Sequence, residues 1–128
     1  MKILVTCNHQ LSKAQLDELN SFDISYLKDL SKGLFEKLSS LSGEENLSLL
    51  SYDLHNLIIK NNFDAVMLPI GSPAFMFAFA CNFQASREQF NSYEVYFSHS
   101  QREVKETVLT NGEVEKISLF SHKHFITF

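Results

Sequence analysis

The chain has no tryptophan, only two cysteines and two prolines, and four glycines. Each scarcity closes off a class of protein. Cys7 and Cys81 are unclustered and sit in apolar runs, which argues against a disulfide scaffold and reads as reduced core residues of a cytosolic protein. The few glycines and prolines form no linker, and there is neither an internal repeat nor a low-complexity segment. No apolar run is long enough to cross a bilayer. Met1 to Cys7 starts like a signal peptide, but Asn8-His9-Gln10 cuts it short. Basic charge is not in excess either: the formal charge of -4 argues against a general DNA or RNA binder, whose affinity comes from Lys and Arg neutralising phosphates. A P-loop, a Gly-rich dinucleotide turn, a G-x-S-x-G elbow and a paired-carboxylate motif are all missing, so the familiar NTPase, dehydrogenase and hydrolase readings lose their support.

What is present is 128 residues with 45% hydrophobic content, enough for one compact domain spanning residues 1–128 with a core that needs no disulfide or metal. Twelve phenylalanines can fill that core and still leave apolar surface for a second subunit. We expect a cytoplasmic protein.

Ile3 to Cys7 is a continuous apolar run of the kind buried on both faces of a parallel sheet. Ser12 then offers an N-cap for a helix over Lys13 to Asn20. A second short strand over Phe22 to Tyr26 and a helix from Ser31 to Leu41 follow. After the loop signal Gly43-Glu44-Glu45-Asn46, helical spacing returns through Leu50, Leu54, Leu57 and Ile58, up to Asn61. Phe63 to Leu68 is a second buried strand. It stops at Gly71, and Ser72-Pro73 opens an almost wholly apolar helix over Ala74 to Ala85, with Ser72 suited to cap it and Pro73 to its first turn. Beyond Gln84 the pattern becomes antiparallel. Tyr93 to Phe97 is a strand, Ser98 to Arg102 a polar turn, and Glu103 to Leu109 with Val114 to Phe120 flank Asn111-Gly112, a strong two-residue hairpin signal. Phe120 to Phe128 alternates, with Phe125 and Phe128 as anchors. The expected fold is α/β: a Rossmann-like parallel sheet with a C-terminal antiparallel β-hairpin.

In an open α/β sheet the loops after parallel strands converge on one edge. Here those are residues 8–12, 70–73 and 98–102. They bring Asn8, His9, Gln10, Ser12, Gly71, Ser72, Ser98, His99, Ser100, Gln101 and Arg102 to that edge. Backbone amides at Gly71 and Ser72, with Arg102, suit phosphate. His9 or His99 suits general acid–base work, since imidazole titrates near neutral pH. Taken alone, the turn at Gly71-Ser72 is also what any plain strand-to-helix connection looks like. His122-x-His124 would place two imidazoles on one strand face, but no third ligand is near, and these read as ordinary surface histidines. His55, on a helix, reads the same way. No cofactor and no metal is implied.

The order of short motifs resembles a family. Asn8-His9-Gln10-Leu11-Ser12-x-x-Gln15, Asp64-Ala65-Val66-Met67-Leu68-x-x-Gly71-x-x-Ala74, Tyr96-Phe97-Ser98-His99-Ser100-x-Arg102, Asn111-Gly112-x-Val114-x-Lys116 and Phe120-x-His122-x-x-Phe125 together resemble small CRISPR-associated proteins of type III systems related to the CARF fold. Members handle cyclic oligoadenylate messengers, some as ring nucleases that linearise cyclic tetra-adenylate. The resemblance implies a CARF-like homodimer with half a site per subunit, the Phe-rich helix helping to form the interface. It also implies metal-independent attack by a ribose 2'-hydroxyl, with Arg102 and backbone amides stabilising charge and His9 or His99 assisting proton transfer. A non-catalytic sensor or sponge for the same messenger needs the same pocket and stays open, as does a structural subunit that uses its Phe-rich face. The chain departs from the family at His99, where a Ser/Thr-rich turn is expected, and at Phe35, where tryptophan is expected.

Overall fold

The computed structural model describes residues 1–7, 10–68, 72–90 and 93–128. In chain order the elements are β1 (Lys2–Val5), α1 (Lys13–Glu18), β2 (Asp23–Tyr26), α2 (Leu27–Leu30), α3 (Lys32–Ser39), α4 (Leu47–Lys60), β3 (Ala65–Leu68), α5 (Pro73–Phe90), β4 (Glu94–Val108) and β5 (Val114–Thr127). The five strands form one sheet in the order β2-β1-β3-β4-β5. β1 to β4 run parallel and β5 returns antiparallel to β4. The protein is therefore mixed α/β, with a mostly parallel sheet ending in an antiparallel pair.

Alternation along the central strands divides the core in two. Leu4, Val66, Leu68 and Val95 point to one face and pack with Leu38, Leu54, Ile58, Phe75 and Phe79 from α3, α4 and α5. Ile3, Val5, Ala65 and Met67 point to the other face, where they meet Leu11, Leu19 and Phe125. Both faces are covered, so the four residues of β3 are all buried and the run reads as continuously apolar. Phe75, Phe79 and Phe83 recur every fourth residue on α5, pack ring against ring at 6.3 and 6.5 Å, and place the helix against the core. Phe77 on the far side is 74% exposed. Cys7 is buried as expected, whereas Cys81 is exposed: it falls on the outward side of α5 among alanines, so an apolar neighbourhood in sequence did not make it core.

The caps explain where helices start. Ser12 and Gln15 form a reciprocal capping box at α1. The Asn46 side chain accepts from Leu49 N–H at α4, and Ser72 Oγ accepts from Phe75 N–H at α5. α2 has no side-chain cap and no sequence signal of its own.

The outer strands differ from expectation. Ser98 to Arg102 is no turn: β4 runs without a break from Glu94 to Val108, and β5 from Val114 to Thr127. The segment contains neither Gly nor Pro, and β5 lies alongside to take its backbone hydrogen bonds, so a polar run continues as strand. The last pair between β3 and β4 among the described residues is Leu68↔Phe97. Past that point the two outer strands continue as a two-stranded arm, in which residues 101–119 are all exposed. Its tip is not a two-residue turn. Gly112 N–H donates to Leu109 C=O at 2.9 Å and Leu109 N–H to Glu113 C=O at 2.8 Å. Gly112 lies at φ 85, the left-handed residue that a three-residue connection requires. Among the described residues no helix is long and apolar enough to cross a membrane.

Candidate functional site

The order of strands reverses between β1 and β3, and this is where an open sheet leaves a crevice at the strands' carboxyl ends. Ser12 and Ser72, the caps of α1 and α5, flank that edge. Ser98 stands beside it, one residue past the last β3–β4 pair.

A polar network joins α1 to the outer strands at this level. Gln15 Oε1 accepts from Ser12 N–H at 2.9 Å. That contact fixes the amide's orientation, so the nitrogen Nε2 faces Ser98 Oγ at 3.3 Å and donates to it. Ser98 Oγ in turn meets His122 Nδ1 at 2.5 Å. His122 Nε2 meets Glu18 Oε1 at 3.1 Å, and the other carboxylate oxygen of Glu18 accepts from Phe125 N–H at 2.7 Å. Ser100 Oγ is 3.4 Å from Ser98 Oγ. The His122 side chain is 4% exposed, stacked at 4.6 Å on Phe125, while Glu18 is 37% exposed. Hydroxyl, imidazole and carboxylate follow one another in hydrogen-bond reach, the arrangement that activates a hydroxyl toward proton loss.

This overturns the reading of His122 as an ordinary surface histidine. It also separates the two members of His122-x-His124. His99 pairs with His124 but Ser100 pairs with His122, so Lys123 is an extra residue in β5. The resulting bulge moves the following residues to the opposite face. His122 therefore faces α1 with Ser98 and Ser100. His124 faces the other way and packs on His99, ring centres 5.0 Å apart. His99 thus lies on the opposite face of the sheet from the Ser98 network.

The remaining expected residues fall as follows. Asn8, His9 and Gly71 lie outside the described residues. Gln10 is exposed in the segment before α1. Ser12, Ser72, Ser98 and Ser100 lie along the carboxyl edge. Arg102 shares the face of Ser98 and Ser100 but stands four residues up β4, about 13 Å away at strand rise. Its Nε and Nη2 donate to Ser118 Oγ at 3.1 and 2.8 Å. Sequence reasoning missed Gln15, Glu18 and His122. The signal available for Gln15 was the Ser-x-x-Gln capping box. For His122 it was its place in Phe120-x-His122-x-x-Phe125.

His55 is another histidine with a definite place. It is 7% exposed on α4, its Nδ1 is 2.6 Å from the Tyr93 hydroxyl, and burial lowers its pKa from the ordinary imidazole value while raising that of Tyr93. This pair belongs to the core. Beside it an apolar groove of about 240 Å³ between α5 and the outer strands is lined by Leu68, Met76, Phe79, Phe83, Phe97 and Phe128, on the face away from the Ser98 network. Among the described residues no three His, Cys, Asp or Glu side chains gather as metal ligands.

No curated protein and no solved structure matches the chain. A family model matches residues 1–126, from β1 into β5, and on that match the chain belongs to the Uncharacterized protein MJ1673 family.

Proposed function

We propose that this protein is a cytoplasmic, CARF-like ring nuclease of Rossmann type. It would bind cyclic oligoadenylate, cyclic tetra-adenylate foremost, as a homodimer, and open the ring by 2'-hydroxyl attack without metal, ending type III CRISPR signalling. The motif order described above suggests the ligand. The observation that carries the reading is the hydroxyl, amide and imidazole cluster of Ser98, Ser100, Gln15 and His122 at the carboxyl end of β3 and beside the place where strand order reverses. Such an edge suits a ligand made of phosphates and ribose hydroxyls. Neutral donors there grip phosphate oxygens, and a twofold-related copy would present the same set to the other half of the ring.

One observation favours the second reading, a non-catalytic sensor or sponge. The guanidinium of Arg102 is bonded to Ser118 on the arm rather than beside Ser98, so the cation that would stabilise a developing charge is not next to the cluster. Incubation of excess protein with labelled cyclic tetra-adenylate in EDTA separates the two. Linear product with a cyclic 2',3'-phosphate end is the expected result. A retained but intact ring selects the sensor, and no retention in a gel shift overturns both.

A further inference from the structure

We infer that Ser98, His122 and Glu18 form the proton relay of this site: Ser98 touches the substrate hydroxyl, His122 takes the proton, and Glu18 positions the imidazole. The inference rests on the ring-opening reading given above. It assigns a role to residues that the family motifs leave without one.

The hydrogen bonds are compatible with the direction of the relay. Gln15 Nε2 is a donor, because its amide oxygen is taken by Ser12 N–H. Ser98 Oγ therefore accepts there, and its single proton can go to His122 Nδ1 or to Ser100 Oγ. The relay uses the first arrangement, in which Nδ1 is the accepting nitrogen and the proton on Nε2 is directed at Glu18 Oε1. Glu18 is itself held by Phe125 N–H on its other oxygen, so the carboxylate cannot swing away without giving up a backbone bond.

Anchorage of α1 does not account for the whole network. α1 is six residues long and needs tethers, and Glu18 supplies two of them, to Phe125 N–H and to His122. Those bonds would hold whatever stood opposite Nδ1. What stands there is a hydroxyl that is only half-buried, next to a second hydroxyl on Ser100, at the end of the parallel strands. The imidazole behind it is 4% exposed, and the Ser98 hydroxyl stands between its Nδ1 and the half-buried edge. His99 and His124 show the contrast: they pack on each other on the opposite face, and among the described residues no carboxylate is bonded to either ring.

The chemistry balances without a further reagent. The ribose 2'-oxygen bonds to phosphorus as its proton passes to Ser98 Oγ and the Ser98 proton passes to His122 Nδ1. The bond from phosphorus to the 5'-oxygen breaks, and that oxygen takes a proton from water. The imidazolium, stabilised by Glu18, returns its proton to solvent. The products are a cyclic 2',3'-phosphate and a free 5'-hydroxyl.

The test measures ring binding and single-turnover cleavage separately in wild type, Ser98→Ala, His122→Ala, His122→Gln and Glu18→Gln. General base removal costs about 10²–10⁴ in rate, so Ser98→Ala and both His122 variants should lose at least ~100-fold in single-turnover cleavage at saturating ring, over and above any loss of binding. Their pH–rate profiles should lose the acid limb. Glu18→Gln, which can still take the Phe125 N–H, should fall in between. Added imidazole should restore part of the rate in His122→Ala but none in Ser98→Ala. His122→Gln keeps a polar partner for Ser98 and guards against loss of fold. A wild type that cleaves while Ser98→Ala and His122→Gln match it overturns the relay and leaves the ring-opening reading intact. A covalent adduct on Ser98 also overturns it, by making Ser98 the nucleophile. A wild type that leaves the ring whole overturns both.

Discussion

The parallel body and the two-stranded arm are built from the same kind of backbone pairing, yet they sit at opposite extremes of burial. Every residue of β3 is buried, and β1 has three of its four residues fully covered. Along the arm, residues 101–119 are all exposed, Val108 to 72% and Val104 to 55%. Burial of large side chains, each worth about 1.5–3 kcal/mol, holds the body. The arm has only ladder hydrogen bonds, a glycine-dependent turn and cross-strand pairs, and a free two-stranded ribbon is marginal in water. The polar network around Ser98 and His122 lies at the junction of the two. There the ladder is still anchored by Phe125 and α1, but the covering layers end.

Breaking the body should cost most. Phe79 is 2% exposed and stacked between Phe75 and Phe83. Phe79→Ala should lower unfolding free energy by about 3–5 kcal/mol in urea titrations, and a loss under about 1 kcal/mol would mean that the groove beside it collapses to fill the hole. A smaller effect should appear on acidification. His55 is held neutral by burial, its pKa lowered from 6.5. The unfolded chain therefore takes up a proton that the folded chain resists. This contribution is complete above the unfolded value, is lost progressively as pH falls through about 6.5, and levels off below the folded pKa. The melting temperature should decline from pH 7.5 to pH 5, and His55→Gln should flatten that slope. An unchanged slope would place the acid sensitivity elsewhere.

The smallest effect belongs to the arm. Lys116 and Glu106 form a cross-strand pair at 3.5 Å with both side chains mostly in water, where such pairs contribute little. Glu106→Gln should leave the urea midpoint unchanged within error. A measurable shift would show that the arm is covered in solution and that its exposure belongs only to the single chain.

Sequence patterns carried the body well for a physical reason: strands buried on both faces must be apolar throughout, and Ile3 to Val5 and Ala65 to Leu68 are. The same applies to the caps at Ser12 and Ser72, whose hydroxyls act within three residues of themselves. α2 was not legible, because its four residues carry no cap and no period. Nor was the continuity of β4, since Ser98-His99-Ser100-Gln101-Arg102 has the composition of a loop and becomes strand only because β5 lies alongside.

His122 marks the boundary between the two kinds of information. By itself the sequence determined the parallel core, the helix starts, the glycine at the hairpin tip and a carboxyl edge rich in hydroxyls, all of which follow from local periodicity and local hydrogen bonding. Only the tertiary structure decided which of His122 and His124 meets Ser98. One extra residue at Lys123 reverses the faces of His122 and His124, and α1 brings Gln15 and Glu18, more than eighty residues away in the chain, against Ser98 and His122. Strand register and long-range packing set that choice, and neither leaves a periodic trace in the sequence.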